Sequence, residues 1–263
     1  MLHVGVPGQF DFALSVRYVT DRGAQMLDAP GEIEVILRND ATDDAGNTWM
    51  LRYVAPGQGY TLEYRRPDGT WVQPPQPLPA IYDLPAFRAF GDGQCLLIGG
   101  SSDAWHYDGT SWTSLGIWRP GGFTYAIDMD DTGTVWVSGN GGLGRRDPET
   151  GQWQRYRISN TGQIDNWVRD ISLAAGGDVW LTGNAGPGVG GMGVFDGQRW
   201  YNWNVLTYGL GGDWPFPCDN ADAIAWRASS GQVAVNPTNN GIRQWDGDSF
   251  LTLETGSVSD GLV

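Results

Sequence analysis

The sequence predicts an all-β fold made of about five similar units, and three observations support this prediction. First, a phrase of aspartate, glycine and a large aromatic residue occurs five times, with its aromatics 41, 41, 47 and 50 residues apart. Second, a short apolar run follows a glycine-containing turn in every unit. Third, 40 glycines and 14 tryptophans in 263 residues fit many tight turns between packed strands. A period of about 40 to 50 residues is typical of a β-propeller, so we expect about five four-stranded blades.

Within each unit the apolar run is strand B, the second of four strands. The five runs are 46–51, 93–98, 133–137, 177–181 and 231–235. Strand A precedes each run, at 34–37, 86–90, 125–129, 170–173 and 223–226. Strand C follows it and leads through the Asp-Gly turn into strand D, because glycine supplies the positive φ that such a hairpin turn needs. The aromatics near the start of strand D are Trp71, Trp112, Trp153, Trp200 and Phe250.

The sequence divides into an N-terminal β segment, residues 1–30, and the propeller, residues 31–263. In residues 9–19 large apolar side chains alternate with smaller or polar ones, which is the pattern of a half-buried strand. We expect this segment either to close the ring by pairing with the last blade or to dock the protein onto a partner. In a competing arrangement, residues 1 to about 80 form a separate β domain ahead of four blades.

The charge of the chain excludes one class of function. Thirty acidic residues face sixteen basic ones, all of them arginine, and the net charge is -14. A nucleic-acid partner is therefore not expected, because phosphate binding needs a positive surface. No run is long and apolar enough to cross a membrane, and the first residues carry no signal-peptide pattern. We expect an extracellular or virion-associated protein.

The residues that commonly carry chemistry are scarce. Only His3 and His106 are present, with no histidine pair or Cys/His cluster, so the sequence predicts no zinc site and no cofactor. Cys95 is expected to be a buried thiol in an apolar strand, with a disulfide to Cys218 as the alternative. Calcium binding by aspartate clusters at 40–44 or 128–131 is a further alternative, although turn capping is the commoner role of such residues.

Two segments of this chain resemble known protein families. Residues 133–153 follow the pattern Gly-x-x-Trp, Gly-Leu-x-Arg-x-Asp and Thr-Gly-x-Trp of the two-component-regulator propeller family, and the other units keep its turns and aromatics. That resemblance implies a propeller that senses a ligand or contacts a protein. Residues 42–49 resemble the Asp-box of sialidases and other propellers, in which the aspartate stabilises a turn by accepting backbone hydrogen bonds.

The sequence lacks residues that two families of propeller enzymes need for catalysis. Tyr156-Arg157-Ile158-Ser159 only approximates the Tyr-Arg-Ile-Pro phrase of sialidases. Streptogramin lyases have a similar Gly-x-x-Trp rhythm but need a catalytic histidine that this sequence does not reveal. We therefore predict that the chain is not an enzyme.

The two ends of the predicted blades differ. The A-to-B and C-to-D turns are short and acidic, with Asp40, Asp43, Asp44, Asp92 and Asp178 among them. The opposite end has the B-to-C and D-to-A connections, including the longest two, 183–193 and 201–222, and long loops commonly carry function. Candidate ligand-binding aromatics at that end, each with interblade packing as the alternative, are Tyr82, Trp118, Trp167, Trp203, Tyr208, Trp214 and Phe216.

Together these features predict a non-catalytic recognition module that binds a glycan or a protein surface. The first hypothesis is an attachment or structural protein of a virion or phage tail, in which residues 1–30 contact other virion proteins and the propeller forms a homo-oligomer. The alternative is a bacterial surface or sensory propeller. A propeller glycosidase or lyase is a third, weaker alternative.

Overall fold

The structure is a computed structural model. The residues it describes are 16–20, 23–27, 36–43, 45–55, 59–79, 86–90, 93–99, 103–118, 123–163, 165–183, 190–203, 221–227, 231–237, 243–245 and 250–252.

Five antiparallel sheets of four strands follow one another along the chain, preceded by a two-stranded hairpin. The hairpin consists of β1 (Val16–Thr20) and β2 (Gly23–Leu27). The strands of blade 1 are β3 (Ile36–Thr42), β4 (Thr48–Ala55), β5 (Gly59–Arg65) and β6 (Trp71–Val72). Those of blade 2 are β7 (Ala86–Phe90), β8 (Gln94–Ile98), β9 (Asp103–Tyr107) and β10 (Trp112–Ile117).

The other three sheets repeat this arrangement. Blade 3 has β11 (Thr124–Met129), β12 (Val135–Gly139), β13 (Gly142–Arg146) and β14 (Trp153–Tyr156). After the one-turn helix α1 (Ile158–Thr161), blade 4 has β15 (Val168–Leu173), β16 (Val179–Gly183), β17 (Gly191–Phe195) and β18 (Trp200–Trp203). Blade 5 has β19 (Ala221–Arg227), β20 (Gln232–Pro237), β21 (Arg243–Trp245) and β22 (Phe250–Thr252).

The predicted five four-stranded blades are confirmed, and each repeated aromatic is the first residue of its fourth strand. The turn glycines explain this regularity: Gly69, Gly109 and Gly197 have φ values of 90°, 91° and 89°. Side chains other than glycine rarely adopt such values, so the glycine determines where strand C ends and strand D begins.

One prediction at the N-terminal side needs correction. Asp40 was expected in the first A-to-B turn, but β3 continues to Thr42 and the turn begins at Asp43. Of the segment 9–19, residues 9–15 lie outside the described residues, and residues 16–19 belong to β1, which pairs with β2. Only two residues separate these strands, so closing the hairpin costs little chain entropy.

The hydrophobic core consists of layers between consecutive blades. Residues of blades 1 and 2 form one layer around Trp49, Cys95 and Leu97, and three similar layers join blades 2 to 3, 3 to 4 and 4 to 5. Strands β12 and β16 are buried over their whole length because both of their faces meet a neighbouring blade. This packing explains the apolar runs of strand B, which show no polar alternation.

The first strands of the blades lie nearest the common axis. β3, β7, β11, β15 and β19 contact one another in that order, as expected for blades arranged around an axis. Polar side chains also join them: Ile224 N–H donates to Asp170 Oδ2 at 2.9 Å, and Trp226 N–H donates to Ser172 Oγ at 2.8 Å. Blade 5 is thus attached to blade 4 by backbone groups as well as by apolar contacts.

In the described portion of the chain, no helix has the length and apolar character needed to cross a bilayer.

Candidate functional site

Strands of a blade alternate in direction, so its connections emerge at two opposite ends. We call the end with the A-to-B and C-to-D turns the turn face, and the end with the B-to-C and D-to-A connections the loop face. The two ends of the molecule differ in how their polar and aromatic side chains are used.

On the turn face, aspartates bind the backbone of their own turns. Asp68, Asp108, Asp147 and Asp196 each accept hydrogen bonds from main-chain N–H groups two or three residues further on. These bonds favour the charged form, and they lower the pKa of all four carboxyls. The predicted turn-capping role of the aspartates is confirmed.

The Asp-box turn of blade 1 is the most enclosed of these arrangements. The side chain of Asp43, which is 5% exposed, accepts hydrogen bonds from the N–H groups of Ala45 and Asn47 and from the indole N–H of Trp49. The aspartate position of the Asp-box pattern is Asp44, which lies outside the described residues. The hydrogen bonds given above are accepted by Asp43, the preceding residue. The same geometry recurs in blade 3, where Asp130 accepts from Thr132 and Thr134. The turn at 130–134 was predicted as an acidic A-to-B turn, but its sequence does not carry the box pattern.

The calcium alternative gains no support from these turns. Within the residues that the structure describes, no three His, Cys, Asp or Glu side chains are grouped so that they could hold a metal ion. Asp128 is directed to Arg88, with the Nε-to-Oδ1 distance 3.3 Å.

The loop face has exposed apolar side chains instead of capped carboxylates. Phe123 is 66% exposed and Trp167 is 43% exposed, and both directly precede the first strand of a blade. Ile117 and Ile158, on the same two connections, are also exposed. Since first strands lie nearest the axis, Phe123 and Trp167 lie at the axial end of the loop face, which we call the mouth.

Three side chains of the mouth are in contact. The indole N–H of Trp167 donates to Tyr125 Oη at 2.8 Å, which joins blade 4 to blade 3. The guanidinium of Arg169 lies 4.9 Å from the centre of the Tyr125 ring, a cation–π distance. The backbone N–H of Trp167 donates to Asp165 Oδ1 at 2.8 Å. The buried Asp165 thus fixes the main chain of Trp167 and the Tyr125 hydroxyl fixes its indole, while the side chain stays 43% exposed.

The backbone also changes at this position in three consecutive blades. The first strand skips one residue in its pairing with the second strand at Tyr125, at Arg169 and at Asp222. The equivalent strand of blade 2 pairs without interruption. Such β-bulges redirect a side chain and are over-represented beside binding and active sites.

Unpartnered polar atoms lie at the same end of blades 3 and 4. Thr124 Oγ1, Asn140 Oδ1, Gln163 Oε1 and Thr182 Oγ1 are buried and have no hydrogen-bond partner among the described residues. All four residues are at a strand end or in a connection of the loop face. Five tryptophans next to turn-face turns also have a buried indole N–H without a partner among the described residues, so it is the unpartnered oxygens, not unpartnered polar atoms in general, that favour the loop face. Buried polar atoms are normally paired with protein, water or ligand.

The seven predicted site residues have different outcomes. Trp167 is exposed at the mouth, as described above. Trp118 is only 3% exposed, and its ring lies between Gly144 and the guanidinium of Arg155. Trp203 stacks on Trp180 in the layer between blades 4 and 5. For these two tryptophans the packing alternative is correct, because each ring fills space between two sheets.

Four predicted residues lie outside the described residues, namely Tyr82, Tyr208, Trp214 and Phe216. Phe123, Tyr125 and Arg169 are not among the site residues predicted from the sequence. Only their position could have indicated them: Phe123 directly precedes the first strand of its blade, and Tyr125 and Arg169 are each the second residue of such a strand. Residues there face the axis in a propeller, whereas residues in the middle of a long connection need not.

Two buried carboxyls near the axis belong to the structure of the ring. Burial raises the pKa of Asp170 to about 7, and backbone N–H groups of Ile224 and Ile171 oppose this effect. The carboxylate is enclosed by these contacts although the residue keeps some exposed surface. Burial also raises the pKa of Asp128, against the effect of Arg88. Since backbone donors occupy both oxygens of Asp170, its contacts are those of an interblade tie.

The histidine and cysteine of the described blades are structural. His106 Nε2 lies 3.2 Å from Gln94 Oε1, and partial burial lowers its pKa. Cys95 is a free, fully buried thiol, as expected, and burial raises its pKa far above the usual range. His3 and Cys218 lie outside the described residues.

Comparison with solved structures establishes the fold class. The chain resembles a catalytically inactive virginiamycin B lyase from Staphylococcus aureus with Quinupristin, with 16% identity, a TM-score of 0.60, and coverage of 85% of this chain and 74% of that chain. It also resembles YCF48 bound to D1 peptide, with 12% identity, a TM-score of 0.55 and coverage of 90% and 71%. A third similar structure is the extracellular domain described as one component system BT4673 from B. thetaiotaomicron, with 11% identity, a TM-score of 0.53 and coverage of 96% and 37%.

The chain is a multi-bladed β-propeller, as the sequence predicts. Identities this low show the fold alone. No protein-family model matches the chain, and a search of curated proteins gives no match.

Proposed function

We propose that this chain is a non-catalytic recognition propeller that binds a glycan or a protein surface at the mouth of blades 3 to 5. The observation that carries the proposal is the coincidence of the exposed Trp167 with the bulged residues Tyr125 and Arg169. A side chain that is exposed, aromatic and held in one orientation by neighbours is suited to binding, because little entropy is lost when a ligand stacks on it.

The cellular setting that we propose is a bacterial surface or sensory protein. Residues 133–153 resemble two-component-regulator propellers, and one solved structure similar in fold is an extracellular domain of a one component system. None of the solved structures named above is a virion protein, so the sensory alternative is better supported than the virion hypothesis. YCF48, another propeller of similar fold, is bound to a peptide in its structure.

The chemistry of the mouth supports binding rather than catalysis. Its described side chains are aromatic, apolar or cationic, and the carboxylate of Asp165 below them accepts a hydrogen bond from the main chain. An acid–base pair would need two titratable groups free to exchange protons with a substrate. Asp170, the carboxyl whose pKa is near neutral, is engaged by two backbone donors.

The experiment is a binding screen on glycan and peptide arrays with the purified chain and its variants. Trp167→Ala and Phe123→Ala should each reduce binding of an array ligand about tenfold or more, as expected for an aromatic anchor. Trp71→Ala is the matched control, since Trp71 is 50% exposed but lies on the outer strand of blade 1.

Two results would contradict the proposal. Array binding that resists both mouth substitutions, or that Trp71→Ala weakens equally, would place the binding surface elsewhere. Mass spectrometry of ligands after incubation should show them unchanged, and cleaved or eliminated products would show that the chain is an enzyme.

A further inference from the structure

We infer that the ligand of the mouth is a protein segment that combines apolar side chains with acidic ones. The inference rests on the proposed function and names the ligand class of that same site. Three features support it. The exposed apolar side chains at the mouth belong to one continuous surface, the polar side chains beside them are bonded within the chain, and the nearby charges are positive.

A series of hydrogen bonds attaches Phe123 to the connection between blades 3 and 4. The carbonyl of Phe123 accepts from the N–H of Asn140 at 3.0 Å, in the B-to-C turn of blade 3. In the same turn, the carbonyl of Gly141 accepts from Arg157 Nε at 3.0 Å. Arg157 immediately precedes Ile158, the first residue of α1. Phe123 and the start of α1 are therefore both anchored to one turn.

Ile158 is in turn bonded to the segment that carries Trp167. Its N–H donates to Asn166 Oδ1 at 2.9 Å, and Trp167 is the next residue. Phe123, Ile158 and Trp167 are 66%, 40% and 43% exposed, and we call them the apolar patch. Single exposed apolar side chains are ordinary, whereas neighbouring ones mark an interaction site. Because these bonds fix the backbone of the patch, binding there costs little ordering entropy.

The polar side chains beside the apolar patch are bonded to the backbone of their own connection. Asn160 Oδ1 accepts the N–H of Arg157 at 2.7 Å, and Asn160 Nδ2 donates to the carbonyl of Arg155 at 2.9 Å. Thr161 Oγ1 donates to the carbonyl of Arg157 at 3.0 Å. A saccharide carries hydroxyls around its ring and needs hydrogen-bonding partners when it is desolvated, whereas the apolar side chains of a peptide need none. The patch therefore matches a protein segment better than a glycan.

The charges next to the apolar patch are positive, although the net charge of the chain is -14. Arg155 and Arg157 are half-buried, and neither forms an ion pair with a carboxylate in the described part of the chain. Burial and the nearby charge of Arg157 lower the pKa of Arg155. From Arg155 to Trp167 the only acidic residue is Asp165, which is buried. Aromatic residues and arginine are enriched in protein interfaces, and two neighbouring cations favour a partner that carries carboxylates.

The test is a peptide array of four composition sets, probed with the purified whole chain. Peptides of equal length combine leucine and phenylalanine with glutamate, with glutamine or with lysine, and a fourth set combines glutamate with serine. We expect the glutamate–apolar set to bind about tenfold more tightly than the glutamine–apolar set, the effect of a charge-assisted contact. The glutamate–serine set should bind weakest. Non-specific attraction to an acidic chain would favour the lysine set, so a preference for glutamate does not follow from net charge.

Variants of the surface separate the two parts of the inference. Arg157→Gln should reduce the preference for glutamate over glutamine severalfold, and Arg157→Lys should retain part of it. Ile158→Ser should weaken both of these apolar sets about equally, because it removes an apolar contact and no charge. Arg199→Gln is the matched control, since Arg199 is an exposed arginine on the turn face and should leave the preference unchanged. The thermal midpoint of each variant verifies that it is folded.

Four outcomes would overturn the inference. The first is a preference for lysine or glutamine peptides, and the second is binding of no peptide. The third is self-association of the chain that Ile158→Ser abolishes, since a second copy would then occupy the patch. The fourth is that glycans rather than peptides bind and that Trp167→Ala abolishes this binding, in which case the proposed function stands. If no array ligand depends on Trp167 or Phe123, the proposed function fails as well.

Discussion

The turn face and the loop face are made by the same repeat, but they treat their polar groups in opposite ways. On the turn face nearly every described aspartate is paired with N–H groups two to four residues away, so the turns are self-contained. On the loop face four buried side-chain oxygens are without partners among the described residues, and Phe123 and Trp167 are exposed beside the first strands. The comparison teaches that a short turn pairs its own carboxylate with nearby N–H groups. A longer connection leaves side-chain oxygens that another molecule can bind.

The largest expected effect separates two tryptophans of the loop face. Trp118→Ala should lower the free energy of unfolding by about 3–5 kcal/mol, because it empties a packed space between blades 2 and 3. Trp167→Ala should lower it by less than about 1 kcal/mol, since most surface substitutions cost little. Urea denaturation of both variants measures the difference. Equal losses would show that the mouth tryptophan is a core residue and would break the comparison of the faces.

A second substitution tests whether turn-face aspartates are structural. Asp43→Asn should cost about 2 kcal/mol, because an amide cannot accept all the hydrogen bonds that the carboxylate accepts, including that of Trp49. Asp131→Asn, at an exposed position in the corresponding turn of blade 3, should stay within about 0.5 kcal/mol of the parent. Denaturant midpoints for both variants provide the measurement. A small effect at Asp43 would mean that the box does not stabilise its turn.

A third expected effect concerns pH and the axial carboxyl that joins blades 4 and 5. The pKa of Asp170 is raised in the folded state to about 7, so the folded chain binds this proton more tightly than the unfolded chain. Its contribution is therefore most favourable at low pH and is lost as the pH rises from about 4 to 7, and raising a pKa by about 3 corresponds to roughly 4 kcal/mol over the whole range. Unfolding of the parent and of Asp170→Asn at pH 5 and pH 8 should show a steeper decline in the parent. Parallel curves would show that Asp170 does not titrate in this range.

The prediction of the fold was accurate where a local signal existed. The Asp-Gly phrases located the start of strand D because glycine is the residue that accommodates the turn, and the apolar runs located strand B because that strand is buried on both faces. The bounds of β3 were predicted less accurately, since the sequence near Asp40 has no such turn signal. Residues 9–19 were predicted to pair with the last blade or a partner protein, whereas the part of them that the structure describes belongs to β1, whose hairpin partner β2 begins only three residues after β1 ends.

The loop-face site stays a prediction, and the structure distinguishes among the residues that were predicted for it. Loop length and aromatic content favour the loop face, yet they cannot distinguish Trp118, which fills an interblade layer, from Trp167, which does not. Phe123, Tyr125 and Arg169 were missed because three ordinary residue types in a strand carry no motif. What distinguishes them is their proximity to the axis and to one another, which depends on how blades 3 and 4 pack.

The sequence by itself determined the number of blades, the order of their strands and the acidic, self-capped turn face, since each of these depends on interactions between residues close in the chain. Only the tertiary structure decided which aromatic rings are buried, where the first strands bulge and that Trp167, Tyr125 and Arg169 meet at one mouth. The physical reason is the range of the interactions. A turn is specified by the few residues that form it, whereas a binding surface forms from side chains of separate blades, whose distances are set by the packing of every layer between them.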